Sequence, residues 1–121
     1  MNTYTKRLET LLSEARSVYD NYNSTRDDLF KASEITVKLK KQIADQKAKG
    51  LADGSIFGKN ADERDASARE FIGDLYVKAG QAEDDEREIK NEFDHQSSLV
   101  EFIRFRLRIM ELLCKVASDN G

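Results

Sequence analysis

Apolar positions recur along the first half of the chain in alternating steps of three and four. The series runs Tyr4, Leu8, Leu11, Ala15, Val18, Tyr22, Thr25, Leu29, Ala32, Thr36, Leu39 and Ile43. This is the spacing of one apolar seam along a helix that packs against a neighbour. Leu12, Tyr19 and Phe30 are expected to widen the seam on one side, whereas Ala15, Thr25, Ala32 and Thr36 keep it thin. The stretch Asp20-Asn21-Tyr22-Asn23-Ser24-Thr25 has poor helix propensity. The heptad phase nonetheless crosses it without a shift, which predicts one helix over residues 3–49, with a kink allowed near Asn23.

The second half repeats the pattern with Ala68, Ile72, Leu75, Ala79, Ala82, Glu86, Ile89, Phe93, Gln96, Val100, Ile103, Leu107, Met110, Cys114 and Ala117. Glu86 and Gln96 are polar members, a choice that lowers stability and can set register or oligomeric state. A second helix is expected over residues 60–118, with a bend allowed at Gly80. Between the helices lies a glycine-rich turn, residues 50–59, with Gly50, Gly54 and Gly58. Gly50 is expected to stop the first helix, and Ile56 and Phe57 to tuck the turn against the helix ends. Asn60 followed three residues later by Glu63 is a capping-box start for the second helix.

These elements predict an all-α fold: a long antiparallel helical hairpin, coiled-coil-like, forming a single helical domain over residues 1–121. With a turn centred on residues 50–59, position 36 should lie near 72 and position 8 near 100. The segment from about 106 to 117 would then overhang the first helix by about two or three turns.

That segment is where the chain is most apolar. Over residues 99–117 only a narrow polar stripe interrupts the hydrophobic surface: Ser97, Glu101, Arg104, Arg108, Glu111 and Lys115, spaced for charge pairs along the helix. A helix apolar on its other sides must be covered by something. A single hairpin covers one side, so the economical solution is self-association, most simply a twofold four-helix dimer. The expected oligomer interface comprises Leu99, Phe102, Ile103, Phe105, Arg106, Ile109, Met110 and Leu113. Arg106 stands inside the apolar belt. The plainer reading is a stem that carries its charge out to water. The sharper one is a pair with a carboxylate of another chain, with Asp20, Asp27 and Glu86 as candidates.

Composition narrows the function by exclusion. The 121 residues include no proline or tryptophan, one cysteine and one histidine, and 36% of them are charged. One cysteine rules out an internal disulfide framework and a cysteine-based zinc site. No run approaches the length of a membrane span, and Met1-Asn2-Thr3-Tyr4 lacks an apolar signal core, so a cytoplasmic protein without membrane partners is expected. The formal charge of −3 is unevenly spread. Residues 1–49 carry ten Lys/Arg against seven Asp/Glu, residues 50–95 six against thirteen, and residues 96–121 four against three. The basic focus is Lys38, Lys40, Lys41, Lys47 and Lys49; the acidic focus is Glu83, Asp84, Asp85 and Glu86, followed by Glu88 and Glu92.

Chemistry-bearing motifs are few. Gly54 to Asn60 superficially has the look of a phosphate loop, but its spacing is one residue short, Asn60 replaces the required Ser or Thr, and no strand precedes it. The lone His95 beside Asp94 reads as a solvated histidine, and Cys114 falls on the apolar seam as a small hydrophobe. A carboxylate metal site of the bundle type needs two Glu-x-x-His pairs, which one histidine cannot supply. No catalytic residues, cofactor or metal ligands are therefore expected, and the protein reads as a non-enzyme. Arg104, Arg106 and Arg108 alternate with Phe102, Phe105 and Leu107, as in some single-strand binders, but on a helix these residues point in different directions.

The run Gly54-Ser55-Ile56-Phe57-Gly58-Lys59-Asn60-Ala61-Asp62-Glu63-Arg64-Asp65-Ala66 resembles the central segment of small, largely uncharacterised helical accessory proteins of phages and prophages. Those share a long helix, a glycine-containing turn of GKNxxER style and a second long helix. The resemblance implies a phage accessory role in the host cytoplasm, with Asn60, Glu63 and Arg64 as cap and turn residues. The leading expectation is a self-associating helical protein that acts by binding other proteins. The alternatives are an accessory of phage DNA replication or recombination that binds single-stranded DNA, and an inhibitor of a host nuclease or defence complex that uses residues 83–92 as an acidic decoy.

Overall fold

The structure is a computed structural model and describes residues 3–120. Among these residues the chain forms three α-helices and no strand: α1 (Thr3–Asp53), α2 (Ala61–Phe71) and α3 (Gly73–Asn120). The all-helical, hairpin-like architecture is the one expected from the sequence. The chain divides into two compact units. The first comprises Met1–Asp28 with Lys90–Gly121, the second Leu29–Ile89. Each unit pairs a stretch of α1 with a stretch of α3, and the second also holds α2 and the turn.

The three-four spacing is the burial pattern. From Leu8 to Ile43 every seam position of α1 is buried or half-buried, and so is every one from Ala68 to Ala117. Leu12, Tyr19 and Phe30 do not widen the seam but stay exposed, because within each unit only the line facing the partner helix is covered. α1 runs through Asn21 and Asn23 without a break. The hydroxyl of Thr25 donates to the Asn21 carbonyl (2.8 Å), satisfying a side chain that would otherwise compete with the helix.

In the first unit, Leu11, Ala15 and Ile103 form the core, with Val18, Leu107 and Met110 packed against it. The rings of Tyr22 and Phe93 meet with centroids 5.2 Å apart. In the second unit the buried positions are mostly small: Ala32, Thr36, Ala68 and Ala79, with Ile72 and Ile56. Small residues remove little apolar area from water, so this unit also relies on polar contacts. Ser33 donates to Glu86 Oε1 (2.8 Å), Lys40 lies 3.2 Å from Glu83, and Lys47 bonds Asp65 at 2.5 Å.

These contacts place the register roughly two to four helical turns away from the expected one. Glu14 faces Arg106 and Tyr22 faces Phe93 in the first unit, and Lys40 faces Glu83 in the second. The overhang shrinks accordingly, since Thr3, Lys6 and Thr10 line the same groove as Ile109 and Met110. Part of the shift has a local cause at Gly50. That glycine does not stop α1, which continues to Asp53. Its missing side chain instead makes room for Ile56: a Cβ there would sit 2.5 Å from Ile56 Cδ1. The chain reverses at Gly54, which has a φ of 84° that side chains disfavour. Ile56 folds back, donates its N–H to the Gly50 carbonyl (2.9 Å) and is 2% exposed. Phe57, expected to tuck in beside it, is exposed.

Asn60 caps the second helix as predicted, but the return bond from Glu63 goes to the N–H of the residue before the cap and not to that of the cap itself. Asn60 Oδ1 accepts from the Glu63 N–H (2.8 Å), and Glu63 Oε2 reaches back to the Lys59 N–H (2.7 Å). The second helical segment, expected to be continuous, is interrupted at Ile72 (φ −120°, ψ 35°), whereas the helix runs unbroken through Gly80. Gly73 follows the interruption, and glycine's poor helix propensity makes this the cheapest place to depart from helical geometry. Neither Gly73 nor Gly80 has another atom within 4 Å of where a Cβ would stand, so neither serves a close backbone approach. The three-four phase survives the interruption, because the Ile72 N–H still bonds the Ala68 carbonyl (2.8 Å).

Candidate functional site

The predicted interface residues lie on α3, and the structure sorts them into three groups. Ile103 is 3% exposed and belongs to the core of its own chain; Met110 packs against that core, and Leu99 is half-buried. Arg106 is held by its own chain: its Nη1 donates to Glu14 Oε2 (3.1 Å), and its guanidinium sits 5.7 Å from the centre of the Phe102 ring. Both members of the pair stay about half exposed, so Arg106 carries its charge to the surface and has a carboxylate partner within its own chain. Within the chain that partner is Glu14, and not Asp20, Asp27 or Glu86. Phe102, Phe105, Ile109 and Leu113 form the third group, exposed apolar side chains.

Leu112 and Val116 extend the exposed set. Phe102, Phe105, Ile109, Leu112 and Val116 follow one another in steps of three, four, three and four. They form a second apolar seam, offset by about 160° from the buried one at 100° per residue. Its members are 41–62% exposed. The sequence contains this second periodicity, but near-continuous hydrophobicity over residues 99–117 conceals it until the covered face is known. Leu112 and Val116, outside the expected set, are thus exposed, whereas Ile103 and Met110, within it, pack inside their own chain.

The outer seam is bordered on one side by Glu101, Arg104, Arg108, Glu111 and Lys115, all exposed. Among the described residues, no ion pair joins members of this stripe, despite their spacing. On the other side lies a groove of about 440 Å³, lined by Lys6, Arg7, Leu11, Glu14, Arg106, Ile109 and Met110 among others. Cationic and apolar surface thus meet along one edge of the seam.

Polar candidates elsewhere are engaged within their own unit. Lys47 and Asp65 perturb each other: the hydrogen bond from Lys47 holds the Asp65 carboxyl below its ordinary value, and the same bond raises the Lys47 ammonium. Asp53 is lowered by its bonds from Ser55. In the acidic run, Glu83 meets Lys40, Asp84 meets Arg87, and Asp85 accepts from Gln81. The start of α2 is closed by its own Asn60 and Glu63. Among the described residues, no three of His, Cys, Asp and Glu gather as a metal site, and no helix is long and apolar enough to cross a membrane. Cys114 is a free, half-buried thiol. A second exposed apolar cluster, Phe57 and Phe71, lines a shallow depression with Ser67 and Glu70 in the second unit.

No family model, curated protein or solved structure matches the chain.

Proposed function

We propose that this protein is a non-catalytic, self-associating helical protein that acts by binding other proteins, with the outer seam of α3 as its contact surface. The observation that supports this reading is the exposure of Phe102, Phe105, Ile109, Leu112 and Val116 at coiled-coil spacing on one face. Five large apolar residues in one stripe exceed the scattered exposure ordinary for a soluble surface. Completing their burial is worth about 4–7 kcal/mol per copy, at roughly half of the 1.5–3 kcal/mol that full burial of each would give. Two copies together gain about twice that, comparable with the roughly 4–15 kcal/mol that association costs. The seam is therefore sized for a reversible contact. The phage accessory setting rests on the resemblance of residues 54–66 alone.

Light scattering on the purified protein at increasing concentration tests the reading. The wild type is expected to exceed the mass of one chain at micromolar concentration. Phe105→Glu with Ile109→Glu is expected to hold it at 13.8 kDa with its helical circular dichroism intact. A wild type that stays at one chain's mass throughout would remove self-association from the proposal.

A further inference from the structure

We propose that two copies pair antiparallel along the outer seam, Phe102 facing Leu112 of the second copy and Phe105 facing Ile109. This rests on the self-association proposed above and adds an orientation and a register to it.

The first support is side-chain size. The two phenylalanines stand together at the N-terminal end of the seam and the aliphatic residues at its C-terminal end. Parallel pairing sets each residue against itself, so rings crowd at one end while Val116 meets Val116 at the other. Antiparallel pairing sets every ring against an aliphatic side chain, which fills the layers evenly. Of the registers that place alternate seam positions opposite one another, the chosen one sets both rings against aliphatic side chains. A shift of one heptad sets Phe102 against Asp119 in one direction and against Phe105 in the other.

The second support is charge. A twofold antiparallel arrangement keeps each flank of the seam beside the same flank of its copy. The flank with Glu101, Arg108 and Lys115 then borders itself, bringing Glu101 within about one turn of Lys115 of the second copy, twice by symmetry. Among the described residues, neither has an ion-pair partner. Parallel pairing would turn Glu101 toward Arg106, whose charge is already met by Glu14 at 3.1 Å. Two contacts oppose the arrangement near the axis: Arg108 approaches its own counterpart, with Glu111 a turn away to offset it, and on the other flank Arg106 approaches its own, with its charge already met by Glu14.

Cysteine crosslinking in a background with the half-buried Cys114 changed to serine (Cys114→Ser), its fold checked by circular dichroism, tests the geometry, because the introduced cysteines replace exposed side chains. Under mild oxidation, Phe102→Cys alone and Leu112→Cys alone are expected to stay uncrosslinked, and the double variant Phe102→Cys/Leu112→Cys to become a covalent dimer. A self-crosslink of Phe102→Cys would overturn the antiparallel orientation while leaving self-association standing. A non-covalent dimer by light scattering whose double variant fails to crosslink would overturn the register. A monomer by light scattering would overturn the reading on which the inference rests.

Discussion

Along the same turns of α3 run two apolar seams with opposite fates. The inner one, through Val100, Ile103, Leu107 and Met110, meets α1 of its own chain, and Ile103 is 3% exposed. The outer one, through Phe102, Phe105, Ile109, Leu112 and Val116, meets solvent, and its members are 41–62% exposed. The two are alike in spacing and comparable in side-chain bulk. Their difference shows that hydrophobicity states a need for cover and does not name the cover. The inner seam is a stability element; the outer one is free to act on something else.

The largest expected effect comes from attacking the inner seam. Ile103→Ala is expected to cost about 2–5 kcal/mol, a large part of the stability of a small domain, read as a shifted midpoint in denaturant unfolding. A shift worth less than about 1 kcal/mol would place Ile103 outside the core. The outer seam should respond in the opposite way. At low protein concentration, Phe105→Glu with Ile109→Glu is expected to leave the unfolding free energy within about 0.5 kcal/mol of wild type, as surface changes do. Unfolding comparable to that of Ile103→Ala would erase the contrast between the seams.

Two glycines sharpen the same contrast on a smaller scale. Gly50 continues the covered line of α1, and an added methyl there meets Ile56 at 2.5 Å. Gly50→Ala is expected to destabilise by about 1–2 kcal/mol, since Ile56 is buried and must shift. Gly80 faces open space within a helix. Gly80→Ala is expected to stabilise by about 0.5–1 kcal/mol. Thermal unfolding of the two variants side by side should move in opposite directions; a common sign would contradict the covered-versus-open distinction.

The smallest effect concerns the exposed pair Lys47–Asp65. The Asp65 carboxyl is lowered from 3.8, so its contribution is present above that value and is lost as pH falls through the lowered one. The Lys47 ammonium is raised from 10.5, so its contribution is present below 10.5 and is lost as pH rises through the raised value. Lys47→Met should therefore differ slightly from wild type on the plateau between the two and converge with it at both extremes. A difference that persists at pH 2 would assign the effect to packing of the lysine stem.

Much of the fold was legible in the sequence. The three-four spacing marked the covered positions of both long segments, because an antiparallel helix pair buries one line per helix. Asn60 and Glu63 marked the start of α2, because a capping box is satisfied by residues three positions apart and needs no distant partner. The misses were of another kind. The extension of α1 past Gly50 depends on Ile56 folding back onto that glycine. The interruption fell at Ile72 and not at Gly80, and the partner of Arg106 proved to be Glu14, 92 residues away in the chain.

The sequence by itself determined that the chain is helical, where α2 starts, and which positions seek cover, since periodicity and capping are set by residues within a turn or two of each other. The tertiary structure alone decided the register of α1 against α3, and with it which residues face one another within each unit. That choice is non-local: the seam of each helix repeats along its length, and only contacts such as those of Leu11 and Ala15 with Ile103 fix which turn of one meets which turn of the other.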